Sequence, residues 1–207
     1  MKAKAPAPRA RSRRRSPLRL GIYGGTFDPV HLGHLLVAQA AVEELGLDRL
    51  FFVPAAQSPF KAEKQIAPAE IRLKLLRLAL ARKTDCEIDE QEIRRGGISY
   101  SIDTLRDYAR RFEKAELFYL IGADNISKLN QWREANELAK LAEFVAIPRP
   151  GEIAAEFPKP FRGRMLKGFP IEISSSQIRA RVQAGLPVEN LVPPFVAAAI
   201  HAAKLYL

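Results

Sequence analysis

The chain has 207 residues, 47% hydrophobic and 27% charged, a balance that supports one globular domain with a full core and excludes a low-complexity chain. No apolar run approaches the length of a membrane span, and the lone cysteine, Cys86, excludes an intrachain disulfide framework and suits a reducing cytoplasm. The formal charge of +10 reads as a nucleic-acid signal until it is located. Lys2, Lys4, Arg9, Arg11, Arg13, Arg14, Arg15 and Arg19 carry most of it, and the remainder of the chain holds only about +2.

Residues 1–17 form a tail of Ala, Pro, Arg and Ser that is expected to be disordered. It lacks the apolar segment of a secretory signal. A basic arm for RNA or anionic lipid, a transit peptide and a solvated extension without a partner all remain open. Residues 18–207 read as a single domain. Residues 18–23 form a buried strand stopped by Gly24 and Gly25, and a helix follows over 32–45. A second strand covers 49–54, then a Pro- and Lys-containing loop leads to an amphipathic helix over 70–82. Residues 87–94 read as a polar strand, and Ser101 stands where a cap should precede a helix over 102–112. A buried strand over 117–121 ends in Gly122, helical material runs over 124–141, and a strand at 144–147 is closed by Pro148 and Pro150. A last short strand is expected at 171–173, followed by helices near 176–184 and 194–205. Short apolar strands alternating with helices predict a doubly wound parallel sheet, an α/β Rossmann-like fold whose ligands lie beyond the carboxyl ends of the strands.

The chemistry-bearing residues fall at such places. Gly24-Gly25-Thr26-Phe27-Asp28-Pro29-Val30-His31-Leu32-Gly33-His34 joins a strand to a helix start, whose free amides and dipole favour an anion. His31 and His34 are three apart and can face one side, and two of the three histidines of the chain lie in this turn. Paired imidazoles beside glycines suit a polyphosphate, whose oxygens they can meet with hydrogen bonds as charge moves. A third metal ligand is missing nearby, which disfavours zinc, and neither a Walker loop nor a Gly-x-Gly-x-x-Gly fingerprint is present. Ile173-Ser174-Ser175-Ser176-Gln177-Ile178-Arg179 is a second strand-to-helix turn. One serine suffices for a cap; three hydroxyls and an arginine fork make a second anion site. Gly122-Ala123-Asp124-Asn125 offers a carboxylate for a ribose hydroxyl, and Trp132, the only tryptophan, offers a face for a flat heterocycle; a helix cap and core packing are the plainer readings of both. Gly97 to Leu105 reads equally as a strand exit before a capped helix. Cys86 and His201 carry no assigned role.

The first motif resembles the HxGH signature of the nucleotidyltransferase superfamily, and its Gly-Gly-Thr-Phe-Asp-Pro-Val-His form is similar to the bacterial nicotinate-nucleotide adenylyltransferases. The serine-rich turn and Gly-Ala-Asp-Asn followed by Trp132 and Arg149-Pro150-Gly151 resemble the same family, and the likeness spans about residues 18–205. It implies transfer of AMP from ATP to nicotinate mononucleotide, giving deamido-NAD and pyrophosphate. The implied catalytic residues are His31, His34 and Arg179. ATP would be met by Gly24, Gly25, Thr26, Phe27, His31, His34, Gly122, Asp124, Ser174, Ser175, Ser176, Ile178 and Arg179. The mononucleotide would be met by Lys61, Tyr100, Ser101, Asp124, Trp132 and Arg149. Magnesium is implied on the phosphates, without a protein metal site, and neither membrane nor nucleic acid is required. Two departures stand out: Phe60 replaces a common histidine beside Lys61, and Ser101 replaces threonine. A pantetheine-phosphate adenylyltransferase and, from another class, an RNA-binding module using the basic tail are the alternatives. Preference between nicotinate and nicotinamide and the oligomeric state stay open.

Overall fold

Each strand alternates its side chains between two faces, and in this chain both faces are apolar. In β1 (Arg19–Gly25), Leu20 and Ile22 join one buried cluster while Tyr23 joins the other. Leu50 and Phe52 of β2 (Arg49–Pro54) face opposite to Phe51 and Val53, and β4 (Glu116–Gly122) divides in the same way. A sheet apolar on both sides must be covered on both, which is the signature of parallel strands joined through helices.

The computed structural model, which describes residues 17–59, 67–148, 156–169 and 171–207, bears this out. Six strands pair in parallel in the order β3-β2-β1-β4-β5-β6, where β3 is Cys86–Ile88, β5 is Glu143–Ile147 and β6 is Gly163–Met165. One face carries α1 (Leu32–Leu45), α2 (Ala69–Leu80), α6 (Ser175–Gln183) and α7 (Pro194–Ala202). The other carries α4 (Ser101–Arg111), a 3-10 helix (Ala123–Gln131) and α5 (Ala135–Leu141). Strand order reverses between β1 and β4, so the crevice beyond Gly25 and Gly122 is the switch point where doubly wound sheets bind ligands.

Four expectations are corrected. The polar strand over 87–94 shrinks to β3, because Asp89 accepts a hydrogen bond from the Gln91 amide and starts α3 (Gln91–Arg95). The last strand lies at Gly163–Met165; its exposed, three-residue edge position left no alternating apolar pattern, whereas residues 171–173 run as coil with Ile173 resting on the core. The helix over 124–141 is interrupted at Trp132. Ser101 is the first helical residue after the Tyr100 cap, and its hydroxyl bonds the Tyr119 hydroxyl at 2.8 Å.

Candidate active site at the strand-order reversal

The triphosphate candidate loop leaves β1 through Gly24 and Gly25. A Cβ at Gly24 would come within 2.9 Å of the Tyr119 hydroxyl, and one at Gly25 within 2.8 Å of the Phe27 ring. The room that glycine leaves is thus taken by the protein's own aromatic groups. Phe27 has φ +50°, an uncommon conformation for a bulky residue, and its buried ring packs on Tyr23, His34 and Phe52. Its side chain supports the loop from within the core.

His31 caps α1 and His34 lies one turn in. Their rings stack with centroids 3.6 Å apart. A Cβ on Gly33 would meet the His31 ring at 3.0 Å, so glycine is what lets the imidazole fold back. The His31 amide donates to His34 Nδ1 at 3.1 Å. A nitrogen that accepts carries no proton, so the neutral ring keeps its N–H on Nε2, a donor suited to an oxyanion. His31 is 6% exposed with Nδ1 buried and unpartnered in the protein, and burial lowers its pKa from 6.5 to about 4. It too is neutral at physiological pH, a hydrogen-bonding group without charge.

The serine-rich turn meets this loop directly. Ser174 caps α6, accepting from the Gln177 amide at 3.2 Å in a reciprocal capping box. Ser176 lies within 3.2 Å of the Ser174 hydroxyl. Ser175 donates to the Pro29 carbonyl at 2.9 Å, and Arg179 donates to the Asp28 carbonyl at 2.7 Å. The two motifs, about 140 residues apart in sequence, form one wall beyond β1. Ile178 does not belong to that wall: its side chain is fully buried in the core and its amide is bonded to the Ser174 carbonyl.

Several residues behind the wall were not singled out from sequence. Arg72, 1% exposed, donates to the carbonyls of Ala67, Thr26 and Ala55 at 2.8–3.0 Å and of Ala56 at 3.5 Å. It ties the ends of β1 and β2 to the start of α2. Its only sequence signal is a charge at a core-facing helical position. Asp28, quoted within the motif but given no role, is 2% exposed and accepts from Tyr206 and Ala67.

The mononucleotide candidates lie on the other side of the switch point. The Gly97–Tyr100 turn is pinned to the loop after β2, with the Ser99 amide donating to Gln57 at 2.8 Å and the Ser99 hydroxyl accepting from Ala56 at 3.0 Å. Beneath it lies buried Glu92, which accepts from Thr104 at 2.5 Å and whose pKa burial raises. Trp132, half-buried, meets Tyr119 and Phe144 in T-shaped contacts. Arg133 covers the Tyr100 ring at 4.7 Å. Asp124 is exposed in the first turn of the 3-10 helix after Gly122, beside Asn125. Lys61, Phe60 and Arg149, and the basic tail up to residue 16, lie outside the described residues. Among the described residues, no helix is long and apolar enough to cross a membrane.

Comparison with known proteins agrees with this geometry. Residues 22–181 match the family model described as Cytidylyltransferase-like. Relatives named "Probable nicotinate-nucleotide adenylyltransferase" include one from Dehalococcoides mccartyi, 40% identical over 91% of this chain and 97% of its own length. Another, from Thermus thermophilus, is 41% identical over 91% of this chain and all of its own. The fold matches Plasmodium falciparum nicotinic acid mononucleotide adenylyltransferase complexed with NaAD, with TM-score 0.78 at 18% identity, covering 91% of this chain and 97% of that one. A chain with these relatives along nearly its whole length, and with the histidine-bearing and serine-rich turns gathered at one switch point, belongs to the cytidylyltransferase-like family and, within it, to the nicotinate-nucleotide adenylyltransferases.

Proposed function

We propose that the crevice joins the AMP unit of ATP to nicotinate mononucleotide, releasing pyrophosphate. The observation that carries this reading is the meeting of Arg179 and Ser175 with the Asp28-Pro29 main chain, which brings two helix starts and the paired imidazoles into one wall. A 5′-phosphate oxygen of the mononucleotide attacks the α-phosphorus; the new P–O bond forms as the bond to pyrophosphate breaks, and the leaving group takes the electron pair. The nucleophile is already an anion and needs no general base. Catalysis therefore rests on positioning and on donors aimed at the departing charge. His34, through its Nε2 proton, and Arg179 are the donors for the phosphates. His31 fixes the His34 tautomer with its amide, while Ser174 and Ser176 present hydroxyls at the second helix start. Gly122 and Asp124 receive the ribose, and Tyr100, Ser101 and Trp132 receive the pyridine ring, joined by Lys61 and Arg149.

Magnesium fits as an ion carried by the ATP phosphates. Asp28, the acid of the triphosphate loop, is already held by two donors. When bound, the ion neutralises phosphate charge. The substrates are soluble metabolites and the single cysteine suits a reducing compartment, so the cytoplasm is the proposed location. Neither membrane nor nucleic acid takes part.

The test is pyrophosphate release from ATP with nicotinate mononucleotide, nicotinamide mononucleotide and phosphopantetheine offered separately. Release with the first and not the third supports the reading; release only with the third overturns it. Removing residues 1–17 should leave turnover unchanged, whereas an RNA-binding role would show as lost RNA affinity.

A further inference from the structure

Arg179, the fork assigned to phosphate, stands over a carboxylate able to capture it. Asp28 is 2% exposed, and its Oδ2 lies 3.9 Å from Arg179 Nη1. A buried carboxylate strongly favours a direct ionic partner, yet this pair has not closed to hydrogen-bonding distance. Asp28 Oδ1 accepts instead from the Tyr206 hydroxyl at 2.7 Å, and Oδ2 accepts from the Ala67 amide at 3.2 Å. Arg179 spends one N–H on the Asp28 main-chain oxygen at 2.7 Å, which anchors the guanidinium without neutralising it. Arg72 is also near, but four of its five N–H groups are given to carbonyls. Arg179 is therefore the cation that would answer a carboxylate released from Tyr206.

Tyr206 reaches the loop from the segment after α7. Lys204 at φ +47° and Tyr206 at φ +66° turn the chain back, and Leu205 and Tyr206 pack on the core. Two non-glycine residues in the left-handed region cost free energy, and what the turn delivers to the loop is a phenol hydroxyl aimed at one carboxylate oxygen.

We infer that Tyr206 is a positioning residue for ATP: its hydroxyl holds the Asp28 carboxylate off Arg179 and so keeps the guanidinium open to the triphosphate. The inference rests on the reading of Arg179 as a phosphate ligand.

Tyr206→Phe keeps the ring and removes only the donor. Steady-state kinetics with each substrate varied in turn, alongside thermal melting, provide the test. KM for ATP should rise about five- to tenfold, the scale of one ordinary net hydrogen bond, with kcat within about twofold and KM for nicotinate mononucleotide unchanged. In an Asp28→Asn background, adding Tyr206→Phe should shift KM for ATP by less than about twofold, because no charge remains to capture Arg179. An unchanged KM for ATP in Tyr206→Phe overturns the inference, as do parallel losses in kcat and both KM values that follow a fall in Tm. Should Tyr206→Phe fold too poorly to assay, Asp28→Asn alone decides: KM for ATP at or below that of the parent supports the inference, and a tenfold rise sinks it. Arg179→Gln separates the two layers. A raised KM for ATP there with no change in Tyr206→Phe removes this inference alone, and no change in either removes the phosphate reading as well.

Discussion

The two halves of the crevice are built differently. On the side proposed for ATP, Asp28, Ser175, Arg179 and Arg72 cross-link four segments, and His31 is buried against His34. On the side proposed for the mononucleotide Asp124 is exposed and Trp132 half-buried, and the Gly97–Tyr100 turn is pinned from behind. In the proposed function the first half is a frame fixed before substrate arrives, which is what stabilisation of developing charge requires. The other half is proposed as a platform that receives a ring by shape and stacking. Changes at Arg72 and the paired histidines of the frame should act on stability and turnover, and changes on the platform on KM for the mononucleotide alone.

Arg72→Met tests the frame most severely. It leaves Asp28 with one buried countercharge fewer and four carbonyls without a donor, and should cost about 3–5 kcal/mol in denaturant unfolding; a loss below about 1 kcal/mol would show that the frame is not held by this residue. His34→Ala should lower kcat by about 10²–10³-fold, the scale of one preorganised donor, with circular dichroism unchanged. Near-parental turnover would remove it from the mechanism. His31 makes the frame sensitive to acid. The unfolded chain takes up its proton near pH 6.5 and the folded chain only near 4, so between those values the unfolded state binds more protons. Stability should fall as pH drops through that window, by about 3 kcal/mol in full, and His31→Asn should flatten that part of the stability profile. The smallest expected effect lies on the platform. Trp132→Ala should raise KM for the mononucleotide about tenfold, on the scale of stacking onto one base, while KM for ATP stays in place; a change in kcat alone would erase the distinction between the halves.

The sequence was most legible where local chemistry and fold coincide. Gly24-Gly25 and Gly122 each end an apolar run, and both proved to close strands at the switch point. The triple serine before Arg179 marked a helix start that structure and sequence place alike. What escaped has a common cause: it depends on contacts between distant segments. Nothing local to Tyr206 announces that it reaches residue 28, and Arg72 reads as one more charge on an amphipathic helix until its burial is known. The edge strand Gly163–Met165 carries no sequence signal for the opposite reason, since three residues, two of them exposed, paired along one side need no pattern at all.

Tyr119 gives the two halves a shared hinge pin. Its hydroxyl sits where a methyl on Gly24 would fall and at the same time grips Ser101. The smallest enlargement of the nucleotide-side strand would push that phenol into its neighbour, so damage done at one substrate's doorstep would surface as weakened grip on the other.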